Sequence, residues 1–312
     1  MAAPFNPDTT MLSPTLPPPP PPVTTSPASI SSRVKVKIAA TSHPGKVRKN
    51  NEDHFLTARY GRSAATLQTN LPPGQIPALY EETGYALVVA DGMGGTAAGE
   101  VASRMAITVA VNLALVSPQW HLGTTPEENE AEERAWRERF REMDAVLARQ
   151  GWTDPALSGM GTTLTIGCVV GSDLFIYHVG DSRAYLFRRG KLLQLTSDHT
   201  TAQAMADAGL IDQSAVARHR QRHALTRYLG GGREVEAETQ HIPLLDGDRL
   251  LFCSDGLTEM VSDSRITDVL SRISDPDRAC AELVELALEA GGKDNVTIIV
   301  ANYSLPGDSH AG

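Results

Sequence analysis

The sequence Gly84-Tyr-Ala-Leu-Val-Val-Ala-Asp-Gly-Met-Gly-Gly-Thr96 decides how the rest of the chain is interpreted. An apolar run of strand length ends in Asp91, and three of the next four residues are glycine. The run places this carboxylate at the end of a buried strand. The glycines let backbone carbonyl and N–H groups approach a ligand without interference from a Cβ atom. The stretch therefore predicts a site for a metal ion or a phosphate.

Two other interpretations of this stretch are weaker. Gly92-x-Gly94-x-x-Ala97 also fits a dinucleotide-binding fingerprint between a strand and a helix. That fingerprint requires a second strand ending in Asp or Glu about 20 residues further on, whereas residues 109–116 are uncharged and helical in pattern. Asp91 would also face a pyrophosphate with charge of the same sign. The remaining alternative is a glycine-rich turn with an exposed Asp.

Composition limits the classes of function. The chain has 312 residues, a net charge of -9 and 41% hydrophobic residues, which supports a real core and argues against nucleic acid as the main partner. No apolar run approaches the roughly 18 residues of a membrane span, and residues 1–23 lack the basic and apolar regions of a secretory signal. The three cysteines are far apart, and Cys168 and Cys253 lie in apolar runs, which predicts core thiols in a reducing cytoplasm.

The domain organisation follows from changes in composition. Residues 1–32 are rich in Pro, Ser and Thr, with six consecutive prolines at 17–22, and are predicted to form a disordered tail. A folded domain is expected over residues 33–304, followed by a short polar tail at 305–312. Within the domain, residues 197–232 are polar, basic and rich in glycine at their end, and they predict a mobile flap suited to an anionic substrate.

Hydrophobic periodicity assigns the main elements of the domain. Helices are predicted at 97–115 and 127–149, the second with Trp136, Phe140, Met143 and Leu147 on one buried face. Residues 60–82 are interpreted as a loop or insertion. Short strands separated by glycine turns over 161–196 predict an antiparallel meander. A further helix is expected from Asp275 to Ala290, before a closing strand at 296–303.

Acidic residues recur at the ends of apolar strands, beside Gly or Asn. Asp91, Asp255 and Asp294 share this arrangement, and Glu52, Asp53 and Asp181 hold comparable positions. Such hard oxygen ligands suit Mg²⁺ or Mn²⁺ rather than zinc, and clustered carboxylates without a cation would repel one another and take up protons. Arg48 is available to bind a phosphate. Taken singly, Arg48, Glu52 and Asp53 could equally form an ordinary solvated turn, and Asp181 could be an ordinary hairpin Asp.

Six short motifs occur in order along the chain: Arg48-x-Asn-Asn-Glu-Asp53, Asp91-Gly-Met-Gly-Gly95, Gly161-Thr-Thr163, Val179-Gly-Asp-Ser-Arg183, Ser254-Asp-Gly-Leu257 and Lys293-Asp-Asn295. Together they resemble the motifs of PP2C-type metal-dependent Ser/Thr phosphatases, most closely the compact bacterial branch. The resemblance spans about residues 33–303. It implies an α+β fold, an αββα sandwich in which two packed antiparallel β-sheets are flanked by helices.

The resemblance also implies a site with two Mn²⁺ or Mg²⁺ ions. Asp91 would bridge both ions, and Asp255 and Asp294 would complete the shell of one. Glu52, through water, and the backbone carbonyl of Gly92 would serve the other. Asp53 would orient water at the metals, and Arg48 would bind the substrate phosphate. Asp181, with Asp255 and Glu259, resembles a third, weaker metal site.

The implied activity is hydrolysis of phosphoserine and phosphothreonine in proteins by direct attack of a hydroxide bound to the two metals. Phosphorylated proteins would be the partners, including an autophosphorylated Ser/Thr protein kinase, and the enzyme would be a cytoplasmic monomer. The alternatives are a catalytically inactive phosphoprotein-binding module and a phosphatase of anti-anti-sigma-type regulators. One departure is Met93, because animal members carry at this position a His that is a proposed proton donor.

Overall fold

The computed structural model describes residues 30–94, 98–116, 126–232 and 235–305. Of the tails predicted at 1–32 and 305–312, residues 1–29 and 306–312 lie outside the described residues. Residues 30–32 of the first predicted tail belong to a one-turn helix. The helices are α1 (Ile30–Arg33), α2 (Ala98–Val116), α3 (Pro126–Thr153), α4 (Thr201–Asp207), α5 (Asp255–Thr258), α6 (Asp263–Arg272) and α7 (Pro276–Glu289), with 3₁₀ turns at Pro155–Leu157 and Gln213–Arg218.

The strands form two antiparallel sheets. They are β1 (Lys35–His43), β2 (Asp53–Ala65), β3 (Leu79–Met93), β4 (Gly161–Thr162), β5 (Leu164–Val170), β6 (Asp173–Val179), β7 (Arg183–Arg188), β8 (Lys191–Gln194), β9 (Glu238–Pro243), β10 (Arg249–Cys253) and β11 (Val296–Ser304). The first sheet has the order β1-β11-β10-β7-β8 and the second the order β2-β3-β5-β6-β9, with β4 paired to the end of β3.

The alternation of side chains along the strands creates three layers of core. Leu87 and Val89 of β3 face the other sheet, with Phe252 and Ile299 of the first sheet in the same cluster. Val88 points the opposite way, into a cluster with α2 and α3. A third cluster lies between the first sheet and helices α6 and α7. Because successive residues of a strand face opposite sides, the central strands of each sheet are buried on both faces. The predicted αββα sandwich is confirmed.

Helix α2 packs on the second sheet through its small residues. Ala102, Ala106 and Ala110 are buried there, whereas the larger residues at 101, 105, 109 and 113 are only partly buried. In the described part of the chain, α2 alone has the length and composition of a membrane span, with a mean hydropathy of 1.4. The expectation concerned uninterrupted apolar runs, and α2 contains the charged residues Glu100 and Arg104. A core helix of a soluble protein meets the same criterion.

The loop predicted at 60–82 is too long at both ends, because β2 continues to Ala65 and β3 begins at Leu79. Strands β2 and β3 pair as a long hairpin from Asp53 opposite Asp91 to Ala65 opposite Leu79. Polar side chains cover this outer part, where Arg62 Nε donates to Glu82 Oε2 over 2.5 Å. Because no apolar alternation marks these residues, pairing with a neighbouring strand is what makes them extended. The predicted buried face of α3 is confirmed, since Trp136, Phe140, Met143 and Leu147 are buried.

Candidate metal and phosphate site

Asp91 is fixed by hydrogen bonds on both sides of its backbone. Its N–H donates to Thr163 Oγ1 over 2.9 Å, and its carbonyl oxygen accepts from Thr163 N over 2.9 Å and from Thr162 Oγ1 over 2.8 Å. The motif Gly161-Thr-Thr163 therefore holds the end of β3 in place. These contacts use only main-chain atoms of Asp91, so none of them occupies its carboxylate.

Asp53 stands directly opposite Asp91 in the β2–β3 ladder. Its carboxylate is only 3% exposed, and its Oδ2 accepts a hydrogen bond of 2.7 Å from Ser254 Oγ. The other oxygen, Oδ1, is buried without a hydrogen-bond partner among the described residues. Burial raises the pKa of Asp53 to about 6. An unpaired buried carboxylate oxygen is costly, and a cation or a bound water would satisfy it.

Gly92 and Gly99 bring the start of α2 against the Glu52 backbone. A Cβ atom at position 92 would lie 2.0 Å from the carbonyl oxygen of Gly99, and one at position 99 would lie 2.9 Å from Glu52 Cδ. Ser103 Oγ donates to the carbonyl oxygen of Glu52 over 2.5 Å. Only glycine permits this approach, which places Glu52 beside Gly92. Burial raises the pKa of Glu52 above its usual value.

Asn295 ties the Arg48–Asp53 segment to the start of β11. Its Oδ1 accepts from the Glu52 N–H over 2.8 Å, while its Nδ2 donates to the carbonyl oxygens of Pro44 and Asn50 over 3.0 and 2.9 Å. Sequence reasoning assigned no role to Asn295 or Ser254. In the sequence, each is a polar residue at a strand end, next to Asp294 or Asp255. Because a buried polar side chain must be hydrogen-bonded, this pattern could have indicated their role.

Asp294 forms an ion pair with Arg48, the predicted phosphate ligand. Arg48 Nη2 lies 2.6 Å from Asp294 Oδ2, and the two side chains are 53% and 36% exposed. This hydrogen bond is the main reason that the pKa of Arg48 is raised. The guanidinium is therefore held at the rim of the acidic group, where an anion from solvent can reach it.

The carboxylates of the site share one electrostatic environment. Burial raises the pKa of Asp91 well above its usual value, and the next causes, in decreasing order, are the charges of Asp53, Asp255, Asp181 and Asp294. Burial also raises the pKa of Asp255, followed by the charges of Asp181, Asp294, Glu259 and Asp53. Residues from distant segments thus lie close enough to repel one another. The donors are all oxygen, which fits Mg²⁺ or Mn²⁺.

Comparison with known families gives the same assignment. The family model described as Protein phosphatase 2C matches residues 78–287. The chain belongs to the protein phosphatase 2C family.

Named relatives of this phosphatase 2C chain are bacterial Ser/Thr phosphatases. It is 40% identical over 267 residues to the Ser/Thr protein phosphatase PstP of Mycobacterium tuberculosis, covering 86% of this chain but 45% of that protein. It is 34% identical over 219 residues to the phosphatase stp of Listeria welshimeri, covering 70% and 84%. The solved catalytic domain of PstP with two manganese ions superposes with a TM-score of 0.65 at 35% identity, covering 87% and 99%. The chain therefore spans less than half the length of the M. tuberculosis relative.

The predicted third-site residues of this phosphatase 2C chain lie on the flap side of the acidic group. Asp181 follows Gly180, which has a φ of 110°, and burial followed by the charge of Asp198 raises the pKa of Asp181 to about 7. Glu259 follows Asp255 by one helical turn, and its N–H donates to the Asp255 carbonyl over 2.8 Å. Glu259 contacts a flap residue that sequence reasoning did not single out, His223, at 3.1 Å.

Proposed function

We propose that this chain is a metal-dependent protein Ser/Thr phosphatase that hydrolyses phosphoserine and phosphothreonine monoesters. The observation that carries the proposal is the gathering of strand-end acids around Asp91, with one buried oxygen of Asp53 left unpaired. Carboxylates in this arrangement repel one another unless cations neutralise them. The solved PstP catalytic domain is a relative in complex with two manganese ions, which supports the same interpretation for this chain.

We assign the metal-binding roles to the acids gathered around Asp91, as the resemblance to phosphatase 2C implies. Asp91, Asp255 and Asp294, with Glu52 and the carbonyl of Gly92, would hold two Mn²⁺ or Mg²⁺ ions. When bound, such ions lower the pKa of a water and neutralise charge on a phosphoryl group. Asp181 and Glu259, with Asp255, are proposed for a third, weaker site.

Arg48 and Asp53 act on the substrate and on water. The ion pair with Asp294 holds Arg48 at the rim of the acidic group, and a phosphate dianion offers it a bidentate partner. Asp53 is held through Oδ2 by Ser254, so its Oδ1 can accept a hydrogen bond from water and fix the orientation of that water for attack on phosphorus.

The flap supplies positive charge for an anionic protein substrate. Four arginines, Arg218, Arg220, Arg222 and Arg227, lie there and are exposed. In a chain of net charge -9 they make a local basic surface next to an acidic site, which suits a phosphorylated segment. We therefore propose phosphorylated proteins as partners, including an autophosphorylated Ser/Thr kinase. The proposed location is the cytoplasm, since Cys168, Cys253 and Cys280 are free thiols.

The test separates an enzyme from a phosphoprotein-binding module. The protein is assayed for phosphate release from a phosphothreonine peptide with Mn²⁺ and with chelator. We expect hydrolysis that requires Mn²⁺ and is abolished by Asp255→Asn. The matched control is Asp268→Asn, an exposed acid on α6, which should keep full activity. Peptide binding without phosphate release, in the wild-type protein saturated with Mn²⁺, would favour the binding module instead.

A further inference from the structure

The flap, residues 197–232, is attached to the domain at both ends. At its start, His199 N donates to the Gly180 carbonyl over 2.7 Å, and at its end, Leu229 N donates to the Thr162 carbonyl over 2.9 Å. Both partners adjoin active-site segments. Thr226 N also donates to the His199 carbonyl over 2.8 Å, which joins the two arms of the flap. The rest of the flap is largely exposed, and its contacts with the acids of the site are made by side chains.

His223 makes one of these contacts, with two acids of the site. His223 Nδ1 lies 3.1 Å from Glu259 Oε1 and 3.9 Å from Asp255 Oδ2. One donor atom from each of these three residues lies within 4.8 Å of the other two. Donors that share a cation at about 2.1 Å lie roughly 3–3.5 Å apart, so small side-chain movements would complete a site. Asp181 does not belong to this group of close donors.

The donors come from two segments that only the flap position brings together. Asp255 and Glu259 are four residues apart, and the hydrogen bond from Glu259 N to the Asp255 carbonyl aligns them on one face of a helical turn. The imidazole comes from the flap. Arg222 Nε lies 3.5 Å from Glu259 Oε1, but its side chain is 41% exposed, so a cation can displace it at little cost.

We propose that His223 joins Asp255 and Glu259 as a nitrogen ligand of a transition-metal cation, which fixes the flap against the active site. The inference rests on the proposed function because Asp255 is shared with the dinuclear site. The predicted third site then has a nitrogen donor beside its oxygen donors, instead of carboxylates alone. Imidazole favours divalent transition metals such as Mn²⁺ or Zn²⁺, whereas Mg²⁺ favours oxygen donors. The site is thus selective against Mg²⁺.

Binding of this cation and ordering of the flap are linked. A cation held by His223 binds more tightly when the flap lies against α5, so its binding must favour that position of the flap. Mn²⁺ therefore orders the flap, and Mg²⁺ does so much less. The dinuclear site has oxygen donors only. It therefore gives no reason for Mn²⁺ and Mg²⁺ to differ in how strongly they order the flap.

Pulsed electron paramagnetic resonance of the Mn²⁺-saturated protein tests the nitrogen ligand directly. The dinuclear site offers only oxygen donors, so a ¹⁴N modulation from imidazole reports His223. The control is His219→Gln, because the His219 side chain accepts a hydrogen bond from the Gln221 N–H within its own turn. We expect the modulation in the wild type and in His219→Gln, and its loss in His223→Gln. Absence of ¹⁴N modulation in the wild type, or its persistence in His223→Gln, would overturn the inference.

Hydrogen exchange of the flap gives a second readout that does not depend on activity. We expect Mn²⁺ to slow amide exchange over residues 213–228 more than Mg²⁺ does, in the wild type and in His219→Gln but not in His223→Gln. Equal exchange with both metals in the wild type contradicts the proposal. Hydrolysis without a ¹⁴N signal would retain the proposed function and remove this inference, and a ¹⁴N signal without hydrolysis would do the reverse.

Discussion

Arg48 Nη2 donates a hydrogen bond of 2.6 Å to Asp294 Oδ2, so the group proposed to bind phosphate is paired with a group proposed to bind metal. Both side chains are substantially exposed, and an exposed ion pair contributes little stability, about 0–1 kcal/mol. The pair can therefore separate at low cost. A cation on Asp294 would release Arg48 for the substrate, which links metal binding to phosphate binding.

Removing the guanidinium should weaken substrate binding. For Arg48→Ala we expect kcat/KM on a phosphothreonine peptide to fall roughly 10–100-fold, mainly through KM, because a charged hydrogen bond contributes about 1.5–3 kcal/mol. Arg48→Lys should recover part of this loss, since it keeps the charge but not the fork. Steady-state kinetics measure both. Lys49→Ala removes a neighbouring exposed charge and serves as the control. A KM that is the same in Arg48→Ala and the wild type would refute the role.

The metal-free protein should show a pH-dependent cost of burying Asp53. Its folded-state pKa is raised from 3.8 to about 6 by burial, so as pH rises the unfolded chain releases this proton first and the folded state loses stability. We expect Asp53→Asn to gain stability relative to the wild type between about pH 4 and pH 6 and to hold a constant difference above that range. His178 has the opposite effect on the pH dependence of stability, because burial lowers its pKa to about 4. Comparing the two proteins cancels this effect, since both contain His178.

The measurement for Asp53 is chemical denaturation with chelator across this pH range. Repeating it with Mn²⁺ is the control, because bound cations stabilise the carboxylate and should reverse the order of the two proteins. A difference between Asp53→Asn and the wild type that does not change with pH in chelator would show that Asp53 is not a strained buried acid.

A methyl group at position 92 should disturb the site from its backbone. In Gly92→Ala the new Cβ would lie 2.0 Å from the Gly99 carbonyl and 2.8 Å from the Glu52 carbonyl. We expect a loss of about 1–3 kcal/mol of unfolding free energy and weaker Mn²⁺ binding, since Glu52 is displaced. Denaturation and calorimetric titration measure these effects. In the control, Gly151→Ala in α3, the nearest atom is 3.2 Å away, and Mn²⁺ binding should not change. Normal Mn²⁺ affinity in Gly92→Ala would contradict the role of this contact.

Met93 offers a test of proton donation to the leaving group. It lies at the end of β3, with its Cε near Gly161, and it cannot donate a proton. We expect Met93→His to change the pH dependence of kcat more than KM, because an imidazole there adds a general acid near neutral pH. Rate profiles from pH 5.5 to pH 9 would show it. Profiles of the same shape in both proteins would mean that this position takes no part in proton transfer.

Much of the fold could be predicted because apolar periodicity is local. The run ending in Asp91 predicted a buried strand, and the alternation of Leu87, Val88 and Val89 between two cores bears this out. The outer half of the β2–β3 hairpin escaped prediction because its residues are polar and depend on pairing for their conformation. In α2 the buried positions are held by alanines, since close approach to the sheet requires small side chains, and the helical pattern alone does not report that approach.

Site residues could be predicted only where the same local pattern of residues recurs in the sequence. Acids at strand ends beside Gly or Asn pointed to Asp91, Asp255 and Asp294, and the structure brings their segments together. The ion pair between Arg48 and Asp294 joins residues 246 positions apart, and no local pattern reports such a contact. In the sequence, His223 is one residue within the polar, basic segment 197–232. Its position near Glu259 follows from the path of the flap, which no periodicity encodes.

Crystals of the wild-type protein soaked in Mn²⁺, with anomalous diffraction recorded at the manganese edge, test the central claim most directly. We expect two strong manganese peaks that share the Asp91 carboxylate, with Asp255 and Asp294 bound to one and the Gly92 carbonyl bound to the other. Crystals of Asp91→Asn should show neither peak at full occupancy. An empty acidic group at saturating Mn²⁺, or manganese bound elsewhere on the domain, would contradict the account.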